Sequence, residues 1–188
     1  MAIAGILLAA GSGSRFGGGK LLSALADGSP IGLVSWRNLR AALDEIHVVV
    51  RTGDVAVRAL FDAGSGMVVE CPDAHLGMSH SLVAGLRSAG GAEGWVIALA
   101  DMPFVQPETI RAVAEAVRAG APIALPSYRG MRGNPVGFAA CLKDELLAVS
   151  GDEGARAVVR RREGEIREIK CDDPGILRDI DTREDLRD

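Results

Sequence analysis

Between positions 11 and 20 the chain reads Gly11-Ser12-Gly13-Ser14-Arg15-Phe16-Gly17-Gly18-Gly19-Lys20, a run of small residues carrying two cations. Bare backbone lets a ligand approach the main chain closely, and successive free N–H groups bind anionic oxygens. Arg15 and Lys20 bring positive charge to the same place, so the chemistry this stretch suits is the holding of a triphosphate. The structural alternative is a flexible turn with solvated charges. Eight of the 24 glycines fall within the first 32 residues of a 188-residue chain. Two commoner glycine loops fail on spacing. In the dinucleotide pattern G-x-G-x-x-G the third glycine would come one residue before Gly17, and the acid expected after the second strand is replaced by Arg51-Thr52. In the P-loop a glycine would stand where Ser14 does, and Ser or Thr would follow Lys20 rather than Leu21.

Acidic residues supply the second half of a possible site. Asp101 ends the very apolar segment 95–100 (WVIALA). A carboxylate there is desolvated unless it meets a cation, which makes a magnesium ligand a natural role; a turn or helix cap before Met102-Pro103 is the alternative. Asp179 and Asp181 are two apart and share one face if that segment is extended. Asp181 or Thr182 could also cap a last helix, with Asp185 as the acid of a capping box. Asp152 sits in a G-D-x-G turn, for which a structural role is an even alternative. Ser79 and Ser81 open a helical segment and could donate to a base or phosphate, although Ser79 also suits an N-cap. The loop 128–135 (YRGMRGNP) carries Arg129, Arg132 and Asn134, which suit either an acceptor phosphate or a solvated hairpin.

These residues need a frame. Short apolar runs at 2–10, 46–51, 67–70, 95–100, 122–126, 135–138, 165–171 and 178–181 alternate with helical patterns at 32–43, 54–63, 79–89, 107–118, 139–149 and 153–162. Several runs are apolar at nearly every position, as strands covered on both faces must be. The rhythm predicts an α/β fold: one three-layer, Rossmann-like domain over residues 1–188, with a mostly parallel sheet and helices on both faces. In such sheets ligands lie beyond the carboxyl ends of the strands. Net charge is −4 and aromatics are few. A nucleic-acid surface is therefore not expected, Arg160-Arg161-Arg162 reading as a solvated helix face. No run reaches membrane-spanning length. Cys71, Cys141 and Cys171 form no C-x-x-C pair, which fits a reducing cytoplasm, and His47, His75 and His80 read as surface or loop residues.

Leu8-Ala9-Ala10-Gly11-Ser12-Gly13-Ser14-Arg15-Phe16-Gly17 with Lys20 resembles the L-A-A-G-x-G-x-R-F-G-x-x-K signature of MobA-like NTP transferases, on the molybdenum cofactor cytidylyltransferase branch. The resemblance continues at 77–82 and 85–86, 100–103, 132–136, 151–156, 179–182 and 184–186. It implies a nucleotide-diphospho-sugar transferase-like fold and transfer of a nucleoside monophosphate from an NTP to an acceptor phosphate, with pyrophosphate released. Leu8, Ala9, Ala10, Gly11, Ser12 and Gly13 would hold the nucleotide with Arg15 and Lys20, and Ser79 and Ser81 would meet the base. Asp101 and Asp181 would bind Mg2+, while Arg15, Lys20 and Asp101 would carry catalysis. Arg132 and Asn134 would face the acceptor. Ala10, Gly13, Phe16 and Gly19 depart from the guanylyl branch, which favours CTP over GTP, with molybdopterin as acceptor and a molybdoenzyme or its chaperone as a further partner. An NAD(P)-dependent oxidoreductase and a GTP-using transferase are the competing readings.

Overall fold

The computed structural model describes residues 2–62 and 66–186. Strands β1 (Ile3–Leu8), β2 (Glu45–Arg51), β3 (Met67–Cys71), β4 (Gly94–Leu99), β5 (Ile123–Tyr128), β6 (Met131–Arg132), β7 (Val136–Ala139) and β8 (Ile166–Lys170) form one sheet. Its order is β3-β2-β1-β4-β7-β5-β6, with β8 on the other edge of β5. The pairs β1–β2, β2–β3, β1–β4 and β5–β8 are parallel, and β7 runs antiparallel between β4 and β5. The helices are α1 (Ile31–Ala42), α2 (Val55–Asp62), α3 (Met78–Ser88), α4 (Pro107–Arg118), α5 (Lys143–Leu147) and α6 (Arg156–Arg161).

Alternation along the central strands builds the three layers. Ile3 and Leu7 of β1, with Ile46, Val48 and Val50 of β2, pack against Leu39 of α1, Phe61 of α2 and Val113 of α4. Ala4, Ile6, Val49 and Trp95 face the other way, onto Leu82 and Leu86 of α3, Leu146 of α5 and Val158 of α6. This is the mostly parallel, two-sided α/β sheet that the apolar runs predicted. Among the described residues no helix is long and apolar enough to cross a membrane.

Several expectations are corrected. Segment 178–181 is not a strand; one backbone bond, from the Ile180 N–H to the Asp101 carbonyl (2.9 Å), holds it beside the sheet. Segment 139–149 is a 3-10 turn followed by the short α5, and α6 starts three residues later than expected. Residue 63, at the end of the second expected helix, lies outside the described residues. His47 is buried on β2, where Glu45 and Ser88 satisfy both ring nitrogens.

The last quarter of the chain is tied to α4 by a buried carboxylate. Asp173 is 1 % exposed and accepts from the Gln106 N–H (2.9 Å), the Thr109 hydroxyl (2.7 Å) and the Gly175 N–H (2.9 Å). It thereby serves donors at the first turn of α4, where the helix cannot satisfy its own. Gly175 then passes so close to α4's approach that a Cβ would lie 2.1 Å from the Phe104 carbonyl oxygen. Asp173→Ala strands three donors, two of them in buried bonds, and should lower stability by about 3–5 kcal/mol, a midpoint loss on the order of 10 °C. Thermal unfolding followed by circular dichroism checks it.

Candidate active site

The glycine loop leaves β1 and is pinned by two buried side chains, Phe16 in its middle and Leu21 at its end. The chain turns through Gly13 before Phe16 and through Gly17, Gly18 and Gly19 after it, all at positive φ (57°, 86°, 91° and 65°), a conformation that a Cβ strains. The turns place Lys20 at the start of a 3-10 turn, 20–22, directed back over the sheet. There its ammonium donates to Asp101 Oδ2 at 2.7 Å and to Asp181 Oδ1 at 3.3 Å. Arg15 pairs with the other oxygen of Asp181 at 2.7 Å.

Burial works against the Lys20 charge, but the hydrogen bond and charge of Asp101, then those of Asp181, outweigh it. The amine is held above its ordinary value of 10.5. Lys20 is thus a fixed cation at neutral pH.

The two carboxylates converge for a local reason. Asp101 follows β4 at the carboxyl edge, and its carbonyl holds Ile180, whose buried side chain anchors the segment that presents Asp181. Asp185 does the capping that was an alternative for Asp181. Its carboxylate accepts from the Asp181 N–H, the Thr182 N–H and the Thr182 hydroxyl, and these bonds, the Thr182 N–H above all, pull its pKa below the usual carboxylate range. Among the described residues no α-helix follows, and a 3-10 turn covers 184–186. Asp181 is left free to face Lys20 and Arg15. Arg183 lies over the buried Phe16 ring, 5.2 Å from its centroid, so the same segment clasps the loop.

The cleft between these elements has a volume of about 720 Å³, within the range of small-molecule sites. Leu8, Ala9, Ala10, Gly11, Ser12 and Gly13 line it, as do Lys20, Ser81 and Asp101. The structure therefore brings most of the expected nucleotide residues together, with Arg15 and Asp181 joined to them through ion pairs. Ser79 does not line the cleft. It is 1 % exposed, its hydroxyl has no partner among the described residues, and its N–H donates to the Gly151 carbonyl. Nor is it the N-cap, a place taken by Gly77. Asp152 does line the cleft, and its Oδ1 would sit 2.7 Å from a Cβ on Gly77.

The acceptor pair stays apart from the cleft. Arg132 is engaged by Glu168 (3.0 Å) and Glu163, carboxylates more than thirty residues away that no local pattern announces. Asn134 borders a crevice of about 10 Å³ with Met102 and Leu99, too small for an acceptor. Arg129 has φ 50° and stacks on Tyr128. Sequence reasoning noticed Arg51 only as a missing acid, yet it lines the cleft at the end of β2. A charged residue closing an otherwise apolar strand was the available signal.

Two carboxylates around one cationic point form a donor set that suits a hard divalent ion. Mg2+ is commonly bound by one or two carboxylates, with substrate phosphates and waters completing its shell.

Comparison with known proteins adds independent evidence. The model of the MobA-like NTP transferase domain matches residues 5–166. The chain is 30 % identical to a protein named nicotine blue oxidoreductase from Paenarthrobacter nicotinovorans, covering 98 % of this chain and 94 % of that one. Its fold superposes on Rv0371c of Mycobacterium tuberculosis with TM-score 0.86 and 28 % identity, over 100 % of this chain and 96 % of that one. A structure of Rv0371c complexed with manganese is similar at TM-score 0.81 and 29 % identity, over 100 % and 97 % of the two chains.

Proposed function

The chain belongs to the MobA-like NTP transferase domain family, and from that premise we propose that it transfers CMP from CTP to the phosphate of an acceptor, molybdopterin, releasing pyrophosphate. We take residues 1–188 as one nucleotidyltransferase domain working in the cytoplasm. The observation that carries the reading is the Lys20 ammonium held between Asp101 and Asp181 at the foot of a glycine loop. Oxygen of the acceptor phosphate attacks the α-phosphorus, the bond to the β-phosphate oxygen breaks, and the electron pair leaves with pyrophosphate. Such a displacement asks the protein for position and charge, and little covalent chemistry.

The 8–13 backbone binds the nucleotide, with Ser81 donating from the first turn of α3. Lys20 and Arg15 hold the β- and γ-phosphates and stabilise charge on the departing pyrophosphate. Asp101 and Asp181 would hold Mg2+, which when bound neutralises phosphate charge and orients the reacting oxygens. Acceptor binding by Arg132 would require it to leave Glu163 and Glu168. Asn134 would need its crevice to open.

A second reading is favoured by one observation, the 30 % identity to a protein named as an oxidoreductase. It makes this chain an NAD(P)-dependent oxidoreductase. The loop spacing and the Arg51 that ends β2 speak against a dinucleotide site of the usual kind. Ligand binding separates the readings. CTP with Mg2+, at a hundredfold excess over its dissociation constant, should stabilise the protein by about 2.7 kcal/mol and raise its midpoint by several degrees. NADPH absorbance should stay constant in the presence of nicotine blue. Oxidation of NADPH, with no stabilisation by any nucleoside triphosphate, would replace the first reading with the second.

A further inference from the structure

Arg51 stands at the same sheet edge as Asp101, one of the two metal-ligand candidates. Leu8 is in register with Val49 on one side and Leu99 on the other. Two residues further along come Asp101, Ala10 and Arg51, at the carboxyl edge of three adjacent strands, and the Arg51 guanidinium faces the Ala10 carbonyl there. Neighbouring strands are about 4.8 Å apart, which separates Asp101 from Arg51 by roughly 10 Å.

Arg51 has little to hold. Among the described residues its buried Nε has no hydrogen-bond partner, and Nη2 reaches only the Ala10 carbonyl at a long 3.5 Å. Among the described residues no carboxylate pairs with it. The nearby Asp54 commits a carboxylate oxygen to the Val57 N–H in the first turn of α2. A half-buried cation with unmet donors, facing a cleft, is costly unless a ligand supplies acceptors. With Nε enclosed, the terminal amino groups are the donors left to a ligand.

A guanidinium offers parallel N–H groups and accepts nothing, so it fits an edge with two adjacent acceptors. Cytosine presents O2 beside N3, and guanine presents O6 beside N7. Adenine places an amino donor beside both N1 and N7, and uracil places an N–H between its two carbonyls. We propose that Arg51 selects the nucleobase, admitting cytosine or guanine and rejecting adenine and uracil. This rests on the nucleotidyltransferase reading. With the phosphates at Lys20 and Asp101, the nucleoside extends along the sheet edge toward β2, and the separation matches the reach from an α-phosphate to the far edge of its base.

The test is calorimetric titration of CTP, GTP, ATP, UTP and inorganic tripolyphosphate, with Mg2+, into the wild-type protein, Arg51→Met and Arg51→Lys, each checked for a native thermal midpoint. The wild-type protein should bind CTP and GTP roughly tenfold to a hundredfold more tightly than ATP and UTP. Both variants should lose that ratio and keep the affinity for tripolyphosphate. Lysine retains the charge without the fork, so its failure to restore the ratio separates pairing from charge. A wild-type protein without the preference, or a variant that keeps it, overturns the role of Arg51, as does a variant that loses tripolyphosphate and nucleotides together. If the wild-type protein binds neither tripolyphosphate nor any nucleotide, the nucleotidyltransferase reading falls with it.

Discussion

Asp101→Ala should reduce turnover by at least roughly a thousandfold, the upper end of what removing one electrostatic stabiliser costs, and leave the fold intact. The carboxylate is reached by Lys20 at 2.7 Å and shares that ammonium with Asp181. It is therefore half of the donor set, and a single remaining carboxylate is a poor ligand for Mg2+ in competition with water. Lys20 keeps Asp181 as a partner when the Asp101 carboxylate is removed, so its charge is not left alone. The backbone carbonyl that holds Ile180 survives the substitution. Steady-state kinetics beside a thermal melt read both effects. Near-normal turnover with a native midpoint would remove Asp101 from the chemistry.

Lys20→Met should lower kcat by about 10²–10³, or roughly 3–4 kcal/mol of transition-state stabilisation, with a smaller effect on KM. Its charge matters most as the leaving pyrophosphate gains charge. A second consequence follows from the same contacts. Lys20 occupies the point between Asp101 and Asp181, so removing it leaves two carboxylates without the cation they share. Binding of Mn2+ in the absence of nucleotide, measured by electron paramagnetic resonance, should become tighter in the variant while catalysis becomes slower. A merely structural lysine would show neither the tighter metal binding nor the loss in kcat.

Much of this arrangement was legible in the residues because burial writes itself into apolar runs. The strands covered on both faces (3–8, 45–51, 94–99, 123–128) lie within two residues of where the runs predicted them. Pro107 marks the first residue of α4, since a helix loses nothing by a missing N–H there. Orientation was not legible. The run that became β7 reads the same in both directions, and only its pairing with β4 and β5 shows that it is antiparallel. The exposed β6, with only Met131 and Arg132, is too short to show a pattern.

For the site, the contiguous loop was readable and the long-range partnerships were not. Glycine spacing and two cations locate 8–20 without any knowledge of the fold. The convergence of Lys20 with Asp101 and Asp181 depends on contacts across 81 and 161 residues, which the family resemblance supplied and composition did not. Arg132 misled for the converse reason. A basic residue in a glycine-containing loop resembles a phosphate ligand until Glu163 and Glu168 arrive beside it from β8 and the turn before it. Asp173, which holds the C-terminal segment to α4, gave no sign in its Asp-Asp-Pro context beyond that of an ordinary turn.

The central claim is that this cleft uses a nucleoside triphosphate and discards pyrophosphate. The direct measurement is pyrophosphate release from CTP, GTP, ATP and UTP, each with Mg2+ and molybdopterin, by the wild-type protein and Asp101→Ala. The account predicts release from CTP above the other nucleotides, dependent on both metal and acceptor and absent in the variant. No release from any of the four, with metal and acceptor present, would contradict it.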